Sequence, residues 1–169
     1  MNSRVHFHDR VHQLCNCEDV PLDTREQVLI ALRELACTIE LTEDECKPVP
    51  VGYAARLLYS DPAGWSLALI VLQPGQETPP HDHMSWGCAA TVQGIERNRW
   101  FAGTCPDALH LLGEHEVPPG QGYLFSEEAI HQAIGADPDR TTLALHFLVR
   151  GFHGEIQHCR EDGTSQASS

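Results

Sequence analysis

The sequence predicts a mainly β domain, an antiparallel sandwich or barrel, behind an N-terminal helical segment. Two observations carry this reading. Over the first 46 residues, apolar side chains recur at helical spacing. From Trp65 onward, short apolar or alternating runs return about every 8–12 residues and are separated by Gly and Pro. With 169 residues, 41% of them hydrophobic and 21% charged, the chain is long enough for one domain with its own core.

The elements follow in order. Val28, Leu29, Leu32, Leu35 and Ala36 mark one face of a helix that Pro21 and Asp23 start. "KPVPVG" reads as a turn, and Val51 to Leu58 is expected as a second short helix, which makes 1–60 a helical lead-in. The barrel is expected over 65–158. Its strands are "WSLALIVL", "CAATVQ", "ERNRWFA", two pieces around the turn in "LHLLGEHEVPPGQGYLF", and "TTLALHFLVRGF" from Thr141 to Phe152. Residues 1–160 then form a single domain, and the polar tail 161–169 is expected to be disordered.

Acids outnumber bases 24 to 11, giving a net charge of -13, which argues against nucleic acid or an anionic membrane as a partner. No apolar run is long enough to span a bilayer. "MNSRVHFHDRVHQ" lacks the apolar stretch of an export signal. Seven irregularly spaced cysteines then read as reduced thiols, and a cytoplasmic location is expected.

The chemistry is concentrated in "PGQETPPHDHMSWGC". His81 and His83 are two residues apart, so in an extended strand both project to one side while Asp82 points away. Thr78, Pro79 and Pro80 favour that extended backbone. Two imidazoles on one face can bind a metal, but a third ligand is needed. His131 is the best candidate and His146, in the middle of the last apolar strand, is next. Trp86 reads as a packing residue. A rival set, His6, His8, His12, Cys15 and Cys17, fits structural zinc spacing poorly and reads as a polar helix face.

Gly75, His81, His83 and Gly94 together resemble the first motif of the cupin superfamily. The glutamate of that motif would fall at Gly87. Its absence implies a three-histidine site. With "ARLLYSDP", "TVQGIERNRWF", "IHQAI" and "LALHF", the chain from Tyr53 to Phe152 resembles the thiol dioxygenases, the cysteine dioxygenase family. The resemblance implies a jelly-roll cupin β-barrel with ferrous iron, Fe(2+), on His81, His83 and His131. It implies a catalytic second-sphere role for His146 and a substrate-carboxylate contact for Arg56, whose planar fork suits that group.

The implied reaction oxidises a small thiol carboxylate, cysteine or similar, to its sulfinate with dioxygen, and 3-mercaptopropionate and mercaptosuccinate are alternatives. Another cupin oxygenase, or a metal-binding cupin that is not an enzyme, is the remaining alternative. The implied partners are the thiol and dioxygen, in a monomer or small homo-oligomer. Two positions depart from the family pattern: Gly87 replaces the cross-linking cysteine, with Cys88 facing the other side, and Leu148 stands where a tyrosine is usual.

Overall fold

The computed structural model describes residues 3–14, 20–83, 85–103, 108–149 and 157–158. The helical lead-in consists of α1 (Ser3–Leu14), α2 (Leu22–Thr38) and the single turn α3 (Glu43–Cys46). Thr42 starts α3 with a capping box: its side chain accepts from the Glu45 N–H, and Glu45 reaches back to the Thr42 N–H. Ten strands follow: β1 (Ala54–Ser60), β2 (Trp65–Leu72), β3 (His81–Asp82), β4 (Gly87–Gln93), β5 (Glu96–Ala102), β6 (His110–Val117), β7 (Gly122–Phe125), β8 (Ile130–Gly135), β9 (Thr142–Val149) and β10 (Gln157–His158).

The strands form two five-stranded sheets, ordered β1-β2-β9-β4-β7 and β10-β3-β8-β5-β6. All pairings are antiparallel. The mainly β barrel behind helices is therefore present. One element differs from expectation. Residues 54–60 are a strand, so the helical lead-in ends at Cys46 instead of running to 60. A short window such as "AARLLYS" has no decisive period of its own. It is the edge of β2 that captures it, from Ala54 opposite Val71 to Ser60 opposite Ser66. The strand expected from Thr141 to Phe152 is β9, which spans Thr142–Val149 within the described residues, and the tail 161–169 lies outside them.

Alternation on β9 shows how the chain separates two environments. Leu143, Leu145 and Phe147 join Leu67, Leu69, Val71 and Cys88 in a core that the helices cover with Phe7, Val11, Val28, Leu32 and Leu35. Ala144, His146 and Leu148 take the opposite face, which lines the barrel. Cys88 pairs with Phe147 and so faces the helices, as expected. Trp86 is a packing residue of the same helix-side core, and Arg25 lies over its ring at 5.0 Å. No helix among the described residues is long and apolar enough to cross a membrane.

Candidate metal centre

The lead-in to β3 is pinned before the ligands begin. Gly75 turns the chain at φ +77°, and its N–H donates to the Gly135 carbonyl at 2.8 Å. Thr78 then bonds β8 twice: its N–H donates to the Ala133 carbonyl at 2.9 Å and its hydroxyl accepts from the Ala133 N–H at 3.0 Å. Pro79 and Pro80 keep the backbone extended, and the Pro79 carbonyl lies 2.8 Å from His81 Nδ1. That bond puts the ring proton of His81 on Nδ1 and leaves Nε2 as the free donor atom.

His131, on β8, is directly opposite His81 in the register. His83 follows the end of β3 and completes the group. One ring nitrogen from each of His81, His83 and His131 lies within 4.8 Å of the other two. His81 and His131 are 2% and 0% exposed. His131 Nδ1 is 3.3 Å from the Asn98 side-chain amide, whose oxygen accepts its proton and leaves Nε2 facing inward.

His83 Nε2 and His131 Nε2 are 2.9 Å apart. Two imidazole nitrogens at that distance repel unless a proton or a metal ion lies between them. Burial, followed by the neighbouring histidines, holds the pKa values of both rings well below the usual histidine range. The imidazolium form is thereby disfavoured at both rings, and neutral imidazoles are the form that can hold a divalent metal.

Gly87 explains why no carboxylate joins the group. A Cβ at this position would come within 2.4 Å of the Phe147 carbonyl oxygen and 2.5 Å of the Phe125 ring. Phe125 fills that space and packs on His83 at 4.9 Å and His131 at 5.3 Å between ring centroids. Trp100 stacks on the other side of His131 at 5.6 Å. The position of the expected glutamate is occupied by an aromatic wall.

His146 lines the same barrel, its ring centroid 6.4 Å from that of His131. Its partner is Glu96, on β5, which the sequence reading did not single out. Glu96 is 0% exposed. Its Oε2 lies 3.4 Å from His146 Nε2, and its Oε1 accepts from the Tyr123 hydroxyl at 2.6 Å. Burial works to raise the Glu96 pKa, but the bonds from His146 and Tyr123 outweigh it and the carboxyl stays ionised below its ordinary value. Tyr123 is pushed well above the usual phenol range by burial and by Glu96.

A hydroxyl on this face therefore comes from Tyr123 on β7, while Leu148, at the expected tyrosine position, packs with Phe125 and Ala89. A usable signal was present in "ERNRW": Arg97 and Arg99 mark the outer face, so Glu96, Asn98 and Trp100 must point inward.

Arg56 does not join the group. It pairs with Leu69, a residue of the helix-side core, and cross-strand partners share a face. Its guanidinium donates to the Lys47 carbonyl. As an edge-strand residue rather than a helical one, its direction is set by the β1–β2 register. Arg97 and Arg99 also face away, bound to Glu116 and Glu114 at 2.7 Å and 3.0 Å. The N-terminal set expected to be a polar helix face splits: His8 and His12 face Asp61, His6 is exposed, and Cys15 and Cys17 lie outside the described residues.

No family model matches the chain. Solved structures do. A protein from Thermus thermophilus, TT1209, superposes with a TM-score of 0.54 at 17% identity, covering 66% of this chain and 96% of its own. A Klebsiella pneumoniae protein described as having a double-stranded beta-helix domain gives 0.52 at 12% identity over 68% and 90%. KdgF from Halomonas sp. gives 0.50 at 17% identity over 67% and 95%. At these identities the likeness concerns architecture: the chain has a double-stranded β-helix fold, with a largely buried three-histidine group able to hold a metal inside the barrel.

Proposed function

We propose that this protein is a non-haem iron thiol dioxygenase that oxidises a small thiol carboxylate, cysteine or a close relative, to its sulfinate. The observation that carries the reading is the ligand set. Three imidazoles, two of them buried and the third partly so, converge without a carboxylate among the described residues, and Gly87 has no room to supply one. His81, His83 and His131 would hold ferrous iron through Nε2. Bound there, the ion supplies a Lewis-acidic, redox-active centre at which a thiolate and dioxygen can react. The conversion RS⁻ + O2 → RSO2⁻ balances without a further reductant.

The protein's own groups then do the following. Neutral imidazoles leave the charge of a divalent ion uncompensated, which favours an anionic thiolate over a neutral ligand. Phe125, backed by Leu148, packs on His83 and His131, and Trp100 packs on His131, so the group has an apolar wall. Glu96 accepts the Nε2 proton of His146, which fixes the tautomer and leaves Nδ1 as an acceptor. Tyr123 holds Glu96 in place.

A second reading, a metal-binding cupin with different chemistry or none, is favoured by one observation: Arg56 faces the helices, so the expected carboxylate contact is missing from the barrel. Oxygen uptake by the iron-loaded protein separates the two readings. With cysteine, 3-mercaptopropionate and mercaptosuccinate in turn, at least one thiol should consume one dioxygen per sulfinate formed. No uptake with any thiol, with iron bound stoichiometrically, sinks the dioxygenase reading.

A further inference from the structure

A second set of convergent donors lies outside the barrel. His8 and His12 are one turn apart on α1, and their rings stack with centroids 5.8 Å apart and planes at 17°. Facing them from the turn between β1 and β2 is Asp61, whose side chain is 3% exposed. Asp61 Oδ2 lies 2.9 Å from His8 Nε2 and 3.7 Å from His12 Nδ1. The three donor atoms fall within 4.8 Å of one another. Donors about 2.1 Å from a tetrahedral ion sit about 3.4 Å apart, so the observed separations bracket the spacing an ion requires.

The surroundings point the same way. The other nitrogen of His8, Nδ1, lies 3.1 Å from Asp9 Oδ1. A carboxylate on the far nitrogen is the usual support of a metal-binding histidine, because it holds the ring proton there and turns the other lone pair outward. That lone pair of His8 then faces the Asp61 carboxylate, an arrangement that calls for a cation between them or a second proton on the ring. Asp61 divides its work: Oδ1 caps the turn by accepting the Ala63 N–H at 2.7 Å. Oδ2 is left for the histidines and the Tyr59 hydroxyl, which lies 3.2 Å away.

We propose that His8, His12 and Asp61 form a second metal site, for a divalent ion of the zinc class, which clamps α1 to the β1–β2 turn. Two imidazoles and one carboxylate suit such an ion and leave a fourth position for water. His12 is 52% exposed, so this ion would exchange with solvent, unlike one in the barrel. The clamp joins residues far apart in sequence, and its binding energy would appear as stability of the folded chain.

Zinc bound per chain, measured by equilibrium dialysis and metal analysis on the full-length protein, tests this. Wild type should bind two equivalents, His83→Ala one, His12→Ala one, and the double variant none. His12 is exposed on a helix, where alanine is well tolerated. In the His83→Ala background, zinc should raise the melting temperature. Asp61→Asn, which keeps the Oδ1 acceptor for Ala63, should abolish that rise, and Asp9→Asn should weaken binding about tenfold or more. A second equivalent that survives both His12→Ala and Asp61→Asn overturns the proposal, as does a His83→Ala protein whose melting temperature zinc leaves unchanged. Thiol oxidation should survive His12→Ala, so this proposal and the barrel chemistry can fail separately.

Discussion

The protein holds two histidine groups whose environments are opposites. In the barrel, His81, His83 and His131 have no carboxylate among them, and burial depresses the pKa of His83 and His131. At the helix, His8 sits between Asp9 and Asp61, and the bond to Asp9, with help from Asp61, raises its pKa against a smaller burial cost. The protonated form of the same side chain is thus disfavoured in one place and favoured in the other. Burial decides in the barrel and neighbouring carboxylates decide at the helix. For a bound metal the difference is one of charge: the barrel leaves a divalent ion its full charge and an appetite for an anionic substrate, whereas Asp61 already neutralises part of it at the helix.

The strongest way to break this comparison is to remove one ligand from the barrel. His131→Ala deletes a fully buried candidate ligand, so, on the proposed function, iron retention and thiol oxidation should both be lost. Metal analysis beside an oxygen electrode reads both. Stoichiometric iron in this variant would mean that the third ligand is a different residue.

A second route tries to add a carboxylate to the three-histidine group. Gly87→Glu should not create a new ligand. Its Cβ meets a backbone carbonyl as well as Phe125, and forced overpacking of this kind costs typically about 1–3 kcal/mol. Adding Phe125→Ala relieves the ring contact but not the one with Phe147, so stability in urea should stay depressed. Full recovery would show that the backbone yields there and that the glycine is dispensable.

The barrel does contain a carboxylate, which bonds His146 rather than the three-histidine group, and Glu96→Gln sharpens what it does. The bond to His146 and the acceptor for Tyr123 both weaken, at a cost of about 1.5–3 kcal/mol in stability for charged hydrogen bonds. If Glu96 positions His146, kcat should fall about tenfold or more with KM little changed, and its pH profile should shift. A variant that loses stability alone, with kcat and its pH profile intact, would reduce Glu96 to a packing role.

What the sequence made legible was local. His81 and His83 share a face because of their spacing, the prolines before them impose extended backbone, and the pattern on α2 names the side that packs on the sheet. What it hid depended on partners from distant strands. Glu96 looks like a surface charge until Tyr123 and His146, 27 and 50 residues later, are brought to its oxygens. Asp61 looks like a turn former until α1 lays His8 against it. The face taken by Arg56 follows from the register of an edge strand that reads equally well as a helix. Each miss is a residue whose role is fixed by pairing across the chain, which no local period encodes.

The smallest expected effect concerns the other end of α1. If the helix is held by charges at both ends, Arg4 and Glu45 should matter as His8 and Asp61 do, but only in acid. Arg4 makes a two-pronged contact with Glu45, both bonds 2.9 Å. The bond from Arg4, opposed by burial and aided by Thr42, lowers the Glu45 pKa to about 2. A carboxylate depressed in the folded state stabilises it above the unfolded value, 4.5, and loses that contribution as the pH falls towards 2. The pair is partly exposed, so the gain is about 0.2–1 kcal/mol after solvent screening. Urea midpoints of wild type and Glu45→Gln should therefore differ above pH 4.5 and converge towards pH 2. Midpoints that stay parallel across that interval would mean that α1 is held by Phe7 and Val11 against the core, with the charges at this end contributing nothing measurable.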